Sequence, residues 1–306
     1  ELLVEFVASA HGTRHRRVIP YTGPYPSGAP AIFIDQAARL GASAAMIGAV
    51  GNDPFGDVLL TRLEQDGVDC RWISRLHDRT TGTAFVAYAE DDTREFVFHL
   101  ADSAAACFEA TPEILAVIAA DPPDYLHVSG SSLGVPGMAN AVTAIAGKVV
   151  ESGGSVSFDP NARPELLRSP RVRENFGRLI ELTRIFLPSI EDIAILYPGA
   201  SAATVVERLL LGRMEILVLT RGNGGCEYHD SYRRIELPAL PAACTDPTGA
   251  GDCFSATFVA LHGAGWSAEK ALRYANAAGA IAVSKEGPME GNSSIGEIEK
   301  RLRDAP

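Results

Sequence analysis

A glycine-rich turn, Asp246-Pro247-Thr248-Gly249-Ala250-Gly251-Asp252, runs directly into a helix predicted over residues 253–262. Glycine lets the backbone turn tightly, and the free N–H groups at the start of a helix attract anions. Asp252 stands at the mouth of this predicted anion site. It either accepts a proton from a hydroxyl that attacks a phosphate, or it caps the first turn of the helix. For an isolated turn, the capping interpretation is favoured.

Around this turn, apolar runs that end in a polar residue or a glycine alternate with helical patterns. The runs predict buried parallel strands at 45–50, 125–129, 155–159, 184–187 and 216–220. Asp53-Pro54 and Thr111-Pro112 predict helix starts, and a capping box begins at Ser294. This alternation predicts a parallel sheet with helices on both faces.

Two stretches break the alternation. Residues 8–27 are polar and rich in turn formers, and residues 80–100 predict two strands, 83–88 and 95–100, around a turn at 90–92. Such an antiparallel excursion from a parallel core forms either a small flap or an ordinary edge hairpin, and the pattern alone leaves both open.

Composition excludes several classes of function. The 306-residue chain has 27 Lys and Arg against 38 Asp and Glu, a net charge of −11 at pH 7, which argues against binding to nucleic acid or an anionic membrane. Its five cysteines have no metal-binding or redox spacing, which indicates reduced thiols. No apolar run reaches the roughly 18 residues of a membrane span. We therefore expect a cytoplasmic protein.

Six segments, in this order along the chain, resemble the motifs of the ribokinase-like carbohydrate kinases, the phosphofructokinase B family. They are Ser27-Gly28-Ala29-Pro30-Ala31, Ile47-Gly48-Ala49-Val50-Gly51-Asn52-Asp53-Pro54-Phe55-Gly56, Asp159-Pro160-Asn161-Ala162-Arg163, Thr220-Arg221-Gly222-Asn223-Gly224-Gly225, the turn at 246–252, and Asn276-Ala277-Ala278-Gly279-Ala280. Six motifs in the order of the family are much stronger evidence for this resemblance than the glycine-rich turn alone.

The resemblance implies an α/β fold of the ribokinase-like type: a three-layer α/β/α sandwich with a mostly parallel central sheet and a small β lid. Residues 1–8, 28–79 and 104–306 would form the core that binds nucleotide and sugar. Residues 9–27 and 80–103 would form the lid. The implied activity is transfer of the γ-phosphoryl group of ATP to a sugar hydroxyl, with Mg²⁺ as cofactor.

The resemblance also implies roles for individual residues. The catalytic base would be Asp252, and the anion hole would be Gly249, Ala250 and Gly251. The sugar would contact Glu5, Ser27, Gly28, Asp35, Phe98 and Arg163. The nucleotide would contact Thr220, Gly222, Gly225 and Asn276. Many family members bind a monovalent cation such as K⁺ where Asp246 and Thr248 stand. For Glu5 and Arg163, an ordinary surface charge is the alternative interpretation.

Two departures from the family pattern affect these roles. Ile32 replaces an Asn that is common in the first glycine-rich motif, so the corresponding sugar contact is absent or is supplied by a residue such as Asp35. The NxxE motif that helps to hold Mg²⁺ appears here as Ser189-Ile190-Glu191-Asp192. Asp192 can still serve a hydrated Mg²⁺, and Glu191 is a second candidate.

A third departure concerns the sugar. The 2-keto-3-deoxygluconate kinases grip a carboxylate with Tyr and Arg before an SAA tripeptide, whereas this chain has Phe98-His99-Leu100-Ala101-Asp102 there. Asp102 would repel a carboxylate, which favours a neutral sugar. Residues 23–36 resemble chains described as tagatose kinases, so the favoured substrate is a ketohexose such as tagatose or fructose. 2-Keto-3-deoxygluconate kinase and a non-catalytic sugar or nucleotide sensor are the alternatives.

The predicted lid also suggests a partner. Its alternating strand carries aromatic residues and forms an edge that needs covering, and lids of this family often pair between subunits. We therefore expect a homodimer through the lid, in addition to the small-molecule sugar and ATP.

Overall fold

The computed structural model describes residues 1–10, 12, 14–90 and 93–304. Its strands are β1 (Leu3–Ala8), β2 (Tyr21–Ser27), β3 (Ala45–Gly51), β4 (Asp69–Leu76), β5 (Gly82–Tyr88), β6 (Arg94–His99), β7 (Tyr125–Ser129), β8 (Ser155–Asp159), β9 (Thr183–Phe186), β10 (Ile216–Thr220), β11 (Cys226–His229) and β12 (Arg234–Leu237). Its helices are α1 (Ala29–Arg39), α2 (Pro54–Gln65), α3 (Pro112–Ala120), α4 (Pro136–Glu151), α5 (Pro170–Leu182), α6 (Ile190–Leu196), α7 (Ala202–Leu210), α8 (Ala250–Gly263), α9 (Ala268–Ala282) and α10 (Ile295–Arg303).

The large sheet has six strands in the order β12-β11-β10-β9-β8-β7. Strands β7 to β10 are parallel, and β11 and β12 extend the sheet with antiparallel pairs. Alternate residues of β10 point to opposite faces, so Val218 packs into one core cluster and Leu217 into the other. Both faces of the sheet are therefore buried.

Helices cover both faces. On one face, α1, α8 and α9 pack against the sheet through side chains such as Phe33, Phe258 and Leu272. On the other, α4, α5, α6 and α7 pack through residues such as Phe176 and Val205. The predicted three-layer α/β/α architecture with a mostly parallel sheet is confirmed.

The helix starts also agree with the sequence pattern. The Asp53 and Thr111 side chains accept hydrogen bonds from the backbone N–H groups of Gly56 and Ile114, respectively. At α10, Ser294 and Glu297 form the predicted capping box. These caps satisfy backbone donors that a helix start would otherwise leave unpaired.

Strand β3 differs from the prediction of one continuous parallel sheet. It hydrogen-bonds in parallel with β4, and the two form a separate two-stranded sheet. The sequence pattern did not indicate β4 because its charged residues, such as Arg71 and Arg75, interrupt any apolar run.

The second sheet has four strands in the order β2-β1-β5-β6. It brings together the two stretches that break the alternation, and the predicted strands 83–88 and 95–100 correspond to β5 and β6. The turn predicted at 90–92 falls partly on Asp91 and Asp92, outside the described residues. Strand β1, which is predicted to belong to the core, pairs with β2 and β5 of the predicted lid. The division of the chain into core and lid therefore stays a prediction.

Several of the predicted site segments lie at the carboxyl ends of the parallel strands. Strand β8 ends at Asp159, β10 ends at Thr220, and Ser189 follows β9 and forms a bridge to Thr220. In open α/β sheets, ligands bind outside the carboxyl ends of the strands. Across the described ranges, no helix is long and apolar enough to span a membrane.

Candidate active site

The turn at 246–252 leads into α8, with Gly249 in the left-handed conformation at φ 80°. A Cβ at position 249 would lie 2.3 Å from the Pro288 carbonyl oxygen, so only glycine fits there. At Gly251, by contrast, no other described part of the chain outside α8 would lie within 4 Å of a Cβ. The turn is thus tightly packed on one side and open on the other, beside the first amides of α8.

Asp252 lies in the first turn of α8 and is buried. Burial raises the pKa of its carboxyl group well above the usual value, and the nearby charge of Asp159 raises it further. The positive charge of Arg163 acts in the opposite direction. A carboxyl group with a raised pKa has the basicity to take a proton from a hydroxyl.

Asp159 begins one of the six motifs, but nothing in the sequence assigned it a role in this site. Its carboxylate accepts hydrogen bonds from the Asn161 N–H at 3.0 Å and the Ser255 hydroxyl at 3.4 Å. Burial raises the pKa of Asp159, and the charge of Asp192 adds to this effect. Its position at the end of a buried parallel strand was the available signal.

Asp192 is predicted to hold Mg²⁺, and both oxygens of its carboxylate accept hydrogen bonds. Oδ1 accepts the Ala162 N–H at 2.6 Å, and Oδ2 accepts the Ser189 N–H at 2.7 Å and its hydroxyl at 2.6 Å. Glu191 is exposed. Within the described ranges, no three His, Cys, Asp or Glu side chains are arranged to hold a metal ion. The repulsion of Asp159 by Asp192, and of Asp252 by Asp159, nevertheless favours a cation, and a hydrated Mg²⁺ that binds mostly through water fits this donor set.

Asp246 holds the 246–252 turn in place through several hydrogen bonds. Its carboxylate accepts hydrogen bonds from the Tyr88 hydroxyl at 2.9 Å, the Thr248 N–H at 2.9 Å and the Gly287 N–H at 3.1 Å. The Thr248 hydroxyl accepts a bond from Arg94 at 3.4 Å. These contacts tie the turn to β5, β6 and the segment at 287–293. The predicted binding of a monovalent cation by Asp246 and Thr248 stays a prediction.

Glu5 is buried in β1, with 3% of its surface exposed. The Ser27 hydroxyl donates to Glu5 Oε2 at 3.4 Å, and Oε1 has no hydrogen-bond partner among the residues that the structure describes. Burial, followed by the charge of Asp246, raises the pKa of Glu5 to about 7. An unpaired buried oxygen is costly, so Oε1 is suited to accept a hydrogen bond from a ligand. Gly28, which directly follows Ser27, is the N-cap of α1.

Arg163 connects the core with the four-stranded sheet. Its guanidinium lies 4.8 Å from the Phe98 ring centroid and 5.3 Å from that of Phe96, within the range of cation–π attraction. Its charge lowers the pKa of both Glu5 and Asp252. The structure therefore brings Glu5, Ser27, Phe98, Arg163 and Asp252 to one region.

Contacts within the protein occupy Asp35, which does not fit the expectation that it replaces a missing sugar contact. Its side chain is fully buried, and its oxygens accept hydrogen bonds from Arg62 at 3.3 and 3.4 Å and from Asn292 at 2.5 Å. This carboxylate joins α1 to α2 and to the 287–293 segment, and its oxygens are occupied by those contacts. Ile32 and Asp35 are three positions apart and share a face of α1, but the partners that occupy Asp35 are distant in sequence, so no local pattern indicated them.

The predicted nucleotide residues lie at the end of β10, in the turn that follows it, and on α9. Thr220 ends β10, and Gly225 has φ 88° and a backbone so close to Leu237 that a Cβ would lie 2.0 Å from the Leu237 carbonyl oxygen. Gly222 begins the short helical turn between them. Asn276 on α9 donates to the Pro238 carbonyl at 2.6 Å, so this side chain holds the loop after β12.

Comparison with known proteins agrees with this geometry. The profile described as "pfkB family carbohydrate kinase" matches residues 19–295. The chain is 31% identical over 280 residues to a fructokinase of Salmonella typhimurium, covering 86% of this chain and 87% of the relative.

Solved structures are also similar over nearly the whole chain. An E. coli protein named "putative Ribokinase II", solved in complex with ATP and Mg²⁺, has a TM-score of 0.93 and 39% identity, covering 99% of this chain and 97% of the other. A fructokinase of Vibrio cholerae O395, solved with fructose, ADP and calcium ion, has a TM-score of 0.84 and 25% identity, covering 99% and 96%.

Proposed function

Because the chain belongs to the pfkB family of carbohydrate kinases, we propose that it transfers the γ-phosphoryl group of ATP to a hydroxyl of a ketohexose, with Mg²⁺ as cofactor. The family match and the similar solved structures confirm the resemblance drawn from the six motifs, the ribokinase-like fold and the carbohydrate kinase class. The observation that carries the proposal is the buried Asp252 in the first turn of α8, beside the open face of Gly251.

In the proposed reaction, Asp252 accepts the proton of the attacking sugar hydroxyl. The hydroxyl oxygen forms a bond to the γ-phosphorus, and the bond between that phosphorus and the β–γ bridging oxygen breaks to release ADP. Because the transition state is loose, the proton leaves late, and Asp252 aligns the hydroxyl as well as accepting its proton. The amides of Gly249, Ala250 and Gly251 would stabilise the charge on the transferring group.

The remaining residues would bind the two substrates. Glu5, Ser27, Gly28, Phe98 and Arg163 would contact the sugar, with Glu5 Oε1 accepting from one of its hydroxyls. On the nucleotide side, the roles fall to Thr220, Gly222, Gly225 and Asn276.

The ions would lie near both substrates. Asp192 or Glu191 would hold Mg²⁺ through water, and bound Mg²⁺ would neutralise phosphate charge. Asp246 and Thr248 would lie beside a monovalent cation such as K⁺. All five cysteines are unpaired, which supports a cytoplasmic location.

The substrate is proposed to be fructose or tagatose, in preference to 2-keto-3-deoxygluconate. The relatives named fructokinase support this choice, and the exposed Asp102 would repel a carboxylate. We expect kcat/KM for the better ketohexose to exceed that for 2-keto-3-deoxygluconate by at least about 10-fold.

An ADP-release assay over ketohexoses, pentoses and keto-deoxy acids measures this difference directly. Comparable values for the keto-deoxy acid would contradict the proposal, and Arg163 would then be the candidate partner for its carboxylate. Absence of turnover with every sugar would contradict the kinase assignment as a whole.

Replacing Glu5 with Gln is expected to stabilise the protein at high pH and to weaken sugar binding. The folded-state pKa of about 7 lies above the ordinary value of 4.5, so stability contributed by protonated Glu5 is fully present below pH 4.5 and is lost as the pH rises through 7. The shift corresponds to about 3 kcal/mol. Urea unfolding at pH 5 and pH 8.5 should show a stability advantage of Glu5→Gln that grows with pH.

The matched control is Glu181→Gln, which changes an exposed glutamate and should not alter the pH dependence. A Glu5→Gln variant with an unchanged sugar KM would argue against a sugar contact by Glu5.

We further propose a homodimer that forms through the four-stranded sheet. The face opposite Phe96 and Phe98 carries Phe85, which stacks on Phe6 at 5.1 Å and meets Tyr21 at 5.6 Å. Val97 pairs with Phe85 on this face and is 40% exposed. A partly exposed aromatic face of this kind is typical of an interface.

Light scattering should therefore give the mass of a dimer, and Val97→Glu should shift it toward that of a monomer. Val117→Glu provides the control, because Val117 is equally exposed, at 39%, but lies on α3. A fully active wild-type monomer at assay concentration would refute the dimer.

A further inference from the structure

A largely buried cluster of polar side chains joins α1, α2 and the 287–293 segment, and it takes no part in the proposed reaction. Arg62 donates to Asp35 and, at 2.7 Å, to Asp66, and a third contact runs from its Nη2 to the Met289 carbonyl, also at 2.7 Å. Asn292 donates to Asp35 and accepts from the Cys253 thiol at 2.7 Å. Asp35 and Cys253 are fully buried. Because polar networks of this kind bring a desolvation cost, stabilisation alone does not account for this cluster.

The cluster touches the catalytic turn through three consecutive residues. The Gly287 N–H donates to Asp246, the Pro288 carbonyl abuts Gly249, and the Met289 carbonyl is held by Arg62. Only one residue, Pro288, therefore separates the Arg62 contact from the contact with Asp246. Since the space at Gly249 would not admit even a methyl group, a displacement of Pro288 must displace the turn or open a gap against it.

The rest of the 287–293 segment is fixed at its other end. The Gln36 side chain donates to the Ser293 carbonyl at 3.0 Å and accepts from the Ser293 N–H at 2.7 Å. Asn292 also donates to the Ile32 carbonyl at 3.1 Å. The segment is thus held by Asp246 at Gly287, by Arg62 of α2 at Met289, and by Gln36 of α1 at Ser293.

We propose that Arg62 is a positioning residue for phosphoryl transfer, which sets the geometry of the 246–252 turn through the Met289 carbonyl and Pro288. This inference rests on the proposed role of that turn as the anion hole. Arg62 can act in this way because its planar guanidinium reaches Asp35, Asp66 and Met289 in fixed directions at once. A lysine would keep the charge but lose that geometry.

The test compares Arg62→Lys with Arg39→Lys. Arg39 lies in the same ion cluster, with its guanidinium 2.9 Å from Asp66 and 3.8 Å from Glu297. The described structure records no contact between Arg39 and residues 287–293, so its replacement perturbs the cluster without touching the segment. Each variant is assayed for kcat, for the KM of sugar and of ATP, and for its thermal midpoint.

We expect Arg62→Lys to lower kcat by about 10-fold, because a small misplacement of reacting groups slows the reaction strongly. The sugar KM should stay within about two-fold of the wild-type value. Arg39→Lys should leave kcat unchanged. In hydrogen–deuterium exchange, peptides covering 246–252 and 287–293 should exchange faster in Arg62→Lys alone.

Equal kcat in Arg62→Lys and wild type, or loss of kcat in both variants in proportion to their thermal midpoints, would overturn the inference. A wild-type protein without turnover on any sugar would instead refute the proposed function. In that case, the exchange comparison would still decide whether Arg62 positions the turn.

Discussion

Asp252→Asn is expected to lower kcat by roughly 10²–10⁴, the usual contribution of a positioned general base. Asparagine keeps the shape of the side chain but cannot accept the proton of the sugar hydroxyl. ATP binding should weaken little, since removal of a negative charge near the phosphates cannot increase repulsion. The thermal midpoint should stay the same or rise, because the buried carboxylate and its repulsion from Asp159 are removed. Measurement of kcat, nucleotide affinity and thermal midpoint on this variant tests all three expectations.

Asp53→Asn is the matched control, because Asp53 is a genuine helix cap. Its carboxylate accepts from the Gly56 N–H at 2.9 Å and from the Thr81 N–H at 2.7 Å, and the hydrogen bonds hold its pKa below the usual value. Asp53→Asn should lose stability, because asparagine can still cap the helix but its NH2 group would face the Thr81 N–H whose hydrogen bond Oδ2 now accepts. It should retain kcat, the reverse of the pattern expected for Asp252→Asn. If Asp252→Asn retains most of its turnover, Asp252 is not the base.

The local motifs were predictable because each has a local physical requirement. A left-handed glycine at 249 and the capping residues Asp53 and Ser294 can be recognised within a few positions of the sequence. The alternation of strands and helices likewise predicted the three layers. The pairing of β3 with β4 was not predictable, because an apolar run indicates a strand but does not indicate its hydrogen-bond partners.

The site was predictable only where its contacts are short in sequence. Asp35 meets Asn292 across 257 positions, and no pattern near either residue indicates that contact. Asp159 begins the motif at 159–163, but its effect on the pKa of Asp252 depends on the packing of β8 near α8. Long-range electrostatics and the buried cluster around Arg62 therefore required the structure.

The two glycines of the turn should respond differently to the same substitution. Gly251→Ala is expected to lower kcat by about 10²–10³, comparable to the loss of one anion-hole donor, because the methyl group would occupy the open space where the phosphoryl group must approach. Its stability should stay the same or rise by up to about 1 kcal/mol, since alanine favours the helix. Gly249→Ala should lose both activity and stability, because its Cβ would meet the Pro288 carbonyl oxygen at 2.3 Å with φ 80°. Gly147→Ala on α4, also without neighbours within 4 Å, controls for helix propensity and should leave kcat unchanged. A Gly251→Ala enzyme with normal kcat would show that the transferring phosphoryl group does not approach this face of the turn, and the anion hole would then have to be sought at other amides of α8.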